Sequence, residues 1–124
     1  MATVQLTKDN FEQMVTDNPA LVIDFWAPWC APCRVFAPVF EAASEKYPQV
    51  VFGKVNTEEE QELAASFDIR SIPTLMVVRD RVILFSQAGA LPASSLHQVI
   101  DKALALDMAQ VRQELEGGDG QQSS

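Results

Sequence analysis

The chain has two cysteines, three positions apart, in Trp29-Cys30-Ala31-Pro32-Cys33. Thiols at that spacing suit reversible disulfide exchange, half of a metal site, or a static cross-link. A zinc site needs about four ligands, and His97 is the obvious further donor here. A cross-link over one helical turn closes almost no loop and adds little stability. Exchange, by contrast, needs a sulfur that ionises near neutrality. The run Ala20–Trp26 before the pair is apolar except for Asp24, and residues 33–47 after it carry helical spacing. The pair is therefore expected where a buried strand hands over to a helix.

Unpaired N–H groups and the positive end of the dipole at a helix entrance stabilise a thiolate. A pKa lowered from about 8.5 to about 7 raises the thiolate fraction at pH 7 from roughly 3% to roughly half. Intrinsic nucleophilicity falls with pKa, along a Brønsted slope of about 0.4–0.5, so attack gains only about threefold. The larger gain comes when a stabilised Cys30 thiolate leaves a mixed disulfide. Cys30 is expected to be exposed at that entrance, with Cys33 one turn further in. Pro32 between them has no N–H to leave unpaired.

Asp24 is the next candidate, because a carboxylate inside an apolar strand is costly to desolvate and burial raises its pKa. The plainer reading is a strand-end Asp that reaches solvent. Trp29, in the loop beside the thiol, reads as a contact residue, and Trp26 as packing near the site.

These residues need elements to hold them. Thr7 is the expected N-cap of a short helix carrying Phe11, Met14 and Val15, closed by Asn18-Pro19. Residues 33–47 read as a helix with Val35, Phe36, Val39 and Phe40 on its apolar face and Pro38 as a kink. Residues 50–55 read as a second apolar strand. Glu58-Glu59-Glu60 suits the start of a helix burying Leu63, Ala64 and Phe67. Two strands over 74–78 and 82–88 flank Arg79-Asp80-Arg81 as a hairpin, and a last helix begins near Pro92. Strands alternating with helices, then a hairpin and a helix, imply an α/β fold with a mixed sheet.

The totals narrow the function. At 124 residues there is room for one ordinary domain, and 48% hydrophobic with 21% charged residues is globular composition. A net charge of −8, with lysines scattered at 8, 46, 54 and 102, argues against a nucleic-acid partner. The first ten residues lack an apolar core behind a basic start, and no run approaches the roughly 20 residues that span a bilayer. A cytoplasmic location and no membrane association are the expectations, and two cysteines fit a reducing compartment.

The segments Asp24-Phe25-Trp26-Ala27-Pro28-Trp29-Cys30-Ala31-Pro32-Cys33-Arg34, Ala37-Pro38, Ser71-Ile72-Pro73-Thr74 and Ala88-Gly89-Ala90-Leu91 together resemble the thioredoxin family. The resemblance spans residues 6–106 in consistent order. It implies the thioredoxin fold, a central mixed sheet flanked by helices on both faces in three layers. It implies a protein-disulfide reductase with Cys30 as the attacking and Cys33 as the resolving cysteine, and no cofactor besides their redox-active disulfide. Asp24 would accept the proton of Cys33, with Lys54 near that carboxylate. Pro73 resembles the family's cis-proline, and an X–Pro beside a strand start is one of the few places a cis bond is tolerated. Ile72 would then offer its N–H and C=O to an extended substrate. Trp29, Ile72, Ala88, Gly89 and Ala90 resemble the apolar surface that receives substrate. The implied partners are disulfide-containing client proteins and an NADPH-dependent thioredoxin reductase.

Ala31 departs from the more familiar Gly and Arg34 from the common Lys, which bears on redox poise. The hairpin lacks the family's usual Gly, so a longer or less regular turn is expected. Residues 1–107 read as the domain, 108–116 as a helical extension and 117–124 as a disordered tail. Leu104, Met108, Val111 and Leu115 continue at spacings of four, three and four, so the last helix is expected to run on. That stripe suits docking on a partner or a second copy (hence a monomer or weak dimer), or folding back on its own domain. A competing function is a redox-linked binding or chaperone-like module using the same surface. An oxidase or isomerase would require a more oxidising potential.

Overall fold

The structure, a computed structural model, describes the backbone of residues 2–122 and the side chains of residues 2–116. Its elements are β1 (Thr3–Gln5), α1 (Phe11–Asp17), β2 (Ala20–Trp26), α2 (Ala31–Lys46) and β3 (Val51–Asn56). They continue with α3 (Gln61–Ser66), β4 (Thr74–Arg79), β5 (Val82–Ala88), α4 (Ala93–Ala105) and α5 (Met108–Gln122). The strands form one sheet in the order β1-β3-β2-β4-β5. β1, β3 and β2 run parallel, while β4 is antiparallel to both β2 and β5. This is the thioredoxin-type α/β fold with its mixed sheet.

β2 lies at the centre because its run is apolar on both faces, as a strand covered on both sides must be. Side chains alternate across a strand. Ala20 and Val22 join Phe52, Leu75 and Val77 in packing against Phe36, Phe40 and Ala43 of α2 and Leu96, Ile100 and Ala103 of α4. Leu21, Ile23 and Phe25 face the other way, with Val55, Met76 and Val78, toward Phe11, Met14 and Val15 of α1 and Leu63 and Phe67 of α3. By the same alternation Asp24 and, across the β2–β3 register, Lys54 project on the α2 side.

Several expectations are corrected. The N-cap of α1 is Asn10, not Thr7. The Thr7 carbonyl instead accepts from the Phe11 N–H at 2.9 Å, and the Asn10 side chain folds back to accept from the Thr7 N–H at 2.8 Å. Val35 is 69% exposed and lies off the buried face of α2, which Cys33, Phe36, Phe40, Ala43 and Ser44 make up. Phe36 points into the core, and the residue before it is rotated about 100° away.

The hairpin turn is tight. Asp80 and Arg81 both have positive φ, 50° and 69°, the pattern of a two-residue type I′ turn. Contacts outside the hairpin hold it: the Asp80 N–H donates to the Pro19 carbonyl at 2.9 Å and Arg81 Nη2 to Thr16 Oγ1 at 3.1 Å. The irregularity falls further in, as a register shift beside Val77 and Val78.

The last helix does not run on. α4 stops at Ala105, and α5 starts afresh, with Asp107 Oδ1 accepting from the N–H groups of Ala109 (3.0 Å) and Gln110 (3.3 Å). Arg79 Nη1 donates to the carbonyls of Ala103, Leu104 and Leu106, which binds the end of α4 to the sheet. The stretch 117–124, expected as a disordered tail, overlaps α5, whose backbone runs to Gln122. Residues 123 and 124 lie outside the described residues.

Candidate functional site

β2 ends at Trp26, and the chain turns through Ala27-Pro28-Trp29 to the start of α2. The Cys30 N–H donates to the Ala27 carbonyl at 3.2 Å, and Arg34 Nη1 donates to the Pro28 carbonyl at 3.0 Å, bracing that loop. The Arg34 guanidinium thus reaches back six residues along the chain, a bracing role that its residue type alone does not announce.

Cys30 is the N-cap of α2, with extended backbone, and its sulfur accepts from the Cys33 N–H at 3.2 Å. Pro32 fills a first-turn position where no N–H is needed. Cys30 and Cys33 form a disulfide, their Cα atoms 5.2 Å apart. Contrary to expectation, Cys30 is not exposed: it is 5% accessible and Cys33 3%. Ala27, Trp26 and Ile72 pack around the pair, while neighbouring Trp29 is 67% exposed.

A second segment closes the site from the sheet side. The Ile72–Pro73 peptide is cis, and the Ile72 carbonyl oxygen lies 3.7 Å from Cys30 Sγ. The Pro73 carbonyl accepts from the Gly89 N–H at 2.8 Å, and Thr74 pairs with Ala88. Gly89 takes φ 109°, a conformation that side-chain-bearing residues rarely adopt. Ala88, Gly89 and Ala90 are exposed beside half-buried Ile72. The structure therefore brings Cys30, Cys33, Ile72, Pro73, Ala88 and Gly89 to one end of the sheet, with Ala90 next in the chain.

Asp24 is 1% exposed, and neither carboxylate oxygen has a hydrogen-bond partner. Burial pushes its pKa up to about 7, against the pull of the Lys54 charge. The Lys54 ammonium lies over the Trp26 ring, 4.9 Å from its centroid. His97 is remote from the cysteines in the chain, on α4 against the Tyr47 ring at 6.0 Å between centroids. Among the described residues no cluster of three or more His, Cys, Asp or Glu side chains is placed to hold a metal ion.

A disulfide at the mouth of a strand-to-helix turn, on this sheet, defines a thiol–disulfide oxidoreductase acting on proteins. The chain belongs to the thioredoxin family, whose sequence model, described as thioredoxin, matches residues 2–102. It is 58% identical over 111 residues to a Streptomyces coelicolor protein carrying the name thioredoxin 2, covering 90% of this chain and 83% of that one. It is 40% identical over 105 residues to thioredoxin 1 of Nostoc sp., covering 83% and 98%. Among solved structures, a mutant thioredoxin from Halobacterium salinarum superposes with TM-score 0.79 at 25% identity, covering 85% of this chain and 93% of that one. A Plasmodium falciparum thioredoxin gives 0.74 at 33% identity, covering 79% and 96%.

Proposed function

We propose that this oxidoreductase works as a reductase of protein disulfides. The observation that carries the reading is the Cys33 N–H aimed at Cys30 Sγ at the entrance of α2, a donor that stabilises negative charge on that sulfur. In the dithiol form the Cys30 thiolate attacks one sulfur of a client disulfide. A Cys30–client disulfide forms, and the client's other sulfur leaves as a thiolate. Cys33 then loses its proton to Asp24 and attacks Cys30. The client sulfur departs, leaving the client with two thiols and this protein with the Cys30–Cys33 disulfide. Two electrons have passed to the client. An NADPH-dependent thioredoxin reductase returns them.

Ile72, with Pro73 behind it, offers backbone groups to an extended client segment, and Trp29, Ala88, Gly89 and Ala90 offer apolar surface. Lys54 steadies the ionised form of Asp24. A reducing compartment, the cytoplasm, is where such a reaction runs in this direction. The protein needs neither nucleic acid nor membrane for it.

The test is insulin reduction in dithiothreitol. The parent accelerates it and Cys30→Ser does not; equal rates would end the reading. Cys33→Ser should retain attack but stall as a mixed disulfide with client, visible as a thiol-sensitive band of higher mass.

A further inference from the structure

Three buried carboxylate oxygens among the described residues lack a hydrogen-bond partner: both of Asp24 and Oε2 of Glu41. A carboxylate oxygen taken out of water needs a donor or a cation, since its lost hydration is otherwise uncompensated. Glu41, on α2, is anchored by its other oxygen, which accepts from Thr3 Oγ1 of β1 at 2.9 Å. With Thr3, Gln5, Trp26, Lys54 and Asn56 it lines a cleft of about 450 Å³. Strand alternation and register put those five partners on one face of the sheet, the face that also carries Asp24.

The cation of the cleft is Lys54. Among the described residues no ion pair engages it, and its ammonium rests over the Trp26 ring. β3 lies between β2 and β1, so Lys54 stands between Asp24, its register partner, and the carboxylate that Thr3 holds. Neighbouring strands are about 4.8 Å apart, a distance that a lysine stem spans. The charged groups facing Lys54 are thus Asp24 from β2 and Glu41 from α2. Gln5 and Asn56 are neutral, and the Gln5 amide donates to exposed Glu59 at 3.5 Å. One ammonium serves two carboxylates.

We propose that Glu41 is a positioning residue for the resolving step, competing with Asp24 for the Lys54 ammonium and so keeping Asp24 basic enough to take the proton of Cys33. This rests on the reductase reading above, in which Asp24 is that acceptor. An opposite charge close by lowers a carboxyl pKa by about 1 to 3, and the best proton acceptor has a pKa near the working pH. A carboxylate held fully by its own counter-ion is a poor base. Burial raises the Asp24 pKa against the pull of Lys54, and Glu41 limits that pull. While Asp24 is ionised, Lys54 divides between the two carboxylates. When Cys33 gives its proton to Asp24, the thiol becomes a thiolate and the carboxylate a neutral acid, and the ammonium turns to Glu41. The thiolate then displaces the client sulfur from Cys30 as above.

The experiment follows the Asp24 carboxyl carbon by NMR as pH is varied, on the full-length protein in its disulfide form, where no thiol titrates alongside it. Glu41→Gln keeps an oxygen for Thr3 and removes the charge. The Asp24 midpoint should then fall by about 0.5 pH unit, about threefold in proton affinity. Lys54→Met should raise it by about one pH unit. The double variant should match Lys54→Met to within about 0.2, because no ammonium is left to position. A Glu41→Gln midpoint within about 0.2 of the parent overturns the proposal. So does a double variant that falls as far below Lys54→Met as the single variant falls below the parent, since the carboxylates then merely repel each other. In single-turnover insulin reduction by the dithiol form, the acid limb of the pH profile for Glu41→Gln moves down by the same amount, and a limb that stays in place overturns the role in resolution. Failure of the reductase reading itself is separate: the parent would be inert toward insulin, whereas the NMR titration needs no client.

Discussion

A buried carboxyl without a hydrogen-bond partner is an unstable place to leave a charge, and Asp24 makes that visible as pH dependence. Its pKa, pushed up to about 7 by burial, lies well above the ordinary carboxylate value of about 3.9 in the unfolded chain. Between those two values the folded protein keeps a proton that the unfolded chain has released. Stability from this group is therefore fully present below about pH 4, falls as pH rises, and levels off above about 7. At about 1.4 kcal/mol for each pH step, the loss over the window is of order 4 kcal/mol. Asp24→Asn carries no such proton, so the difference in stability between parent and variant should change steadily from pH 4 to pH 7 and hold constant above. Urea midpoints at pH 4, 5, 6, 7 and 8 measure it, and parallel curves for the two proteins would contradict an Asp24 pKa near 7. The same proton ties stability to the proposed chemistry, since only ionised Asp24 can take the proton of Cys33.

At the scale of elements, the joint between β1 and β3 decides how β3 is held beside β2. Gly53 pairs with Val4 on one side and Ile23 on the other, and a Cβ built there would lie 2.7 Å from Leu6 Cγ. Leu6 is fully buried and its N–H donates to the Lys54 carbonyl at 2.8 Å, so it has little room to retreat. Gly53→Ala should cost about 2 kcal/mol through overpacking, read as a lower urea midpoint with insulin reduction retained at a temperature where both proteins are folded. The need for Gly at that position is invisible without the structure, and so is β1. Three residues, one half-buried and two exposed, carry no period to read. β2 was legible to the residue because a run apolar but for Asp24 has a proline near each end, Pro19 and Pro28. The cysteine pair was legible because its strand-to-helix setting is local. What escaped depends on distant partners. Positive φ at Asp80 and Arg81 is held by Pro19 and Thr16 from α1 and its exit. Val35 was misassigned because α2 is apolar on both sides, and periodicity alone cannot say which stripe faces the sheet. The low exposure of Cys30 depends on Ile72, which arrives 42 residues later.

For the molecule as a whole, the sheet separates the chemistry from the C-terminal helix. The disulfide stands beyond Trp26 at one end of β2, whereas Asp80, whose N–H reaches Pro19, marks the other. Seven residues of strand set those ends about 20 Å apart. α5 engages the far end: Arg112 Nη2 donates to the Asp80 carbonyl at 3.0 Å, and Met108 is buried. The family match, too, stops at residue 102, ahead of α5. The described side chains of α5 thus brace the domain at the end where Arg79 and the hairpin turn meet, away from the sulfur atoms. Ending the chain after Leu106 should leave insulin reduction within about twofold of the parent while lowering the unfolding free energy by about 2 kcal/mol, the scale of losing one buried Met and its neighbouring hydrogen bonds. Urea titration and the insulin assay on the same preparation check both halves. Light scattering adds a third: a helix spent on its own domain leaves the mass of the protein in solution monomeric with or without residues 107–124, whereas a dimer dissolved by the truncation would show that Val111 and Leu115 serve a second copy.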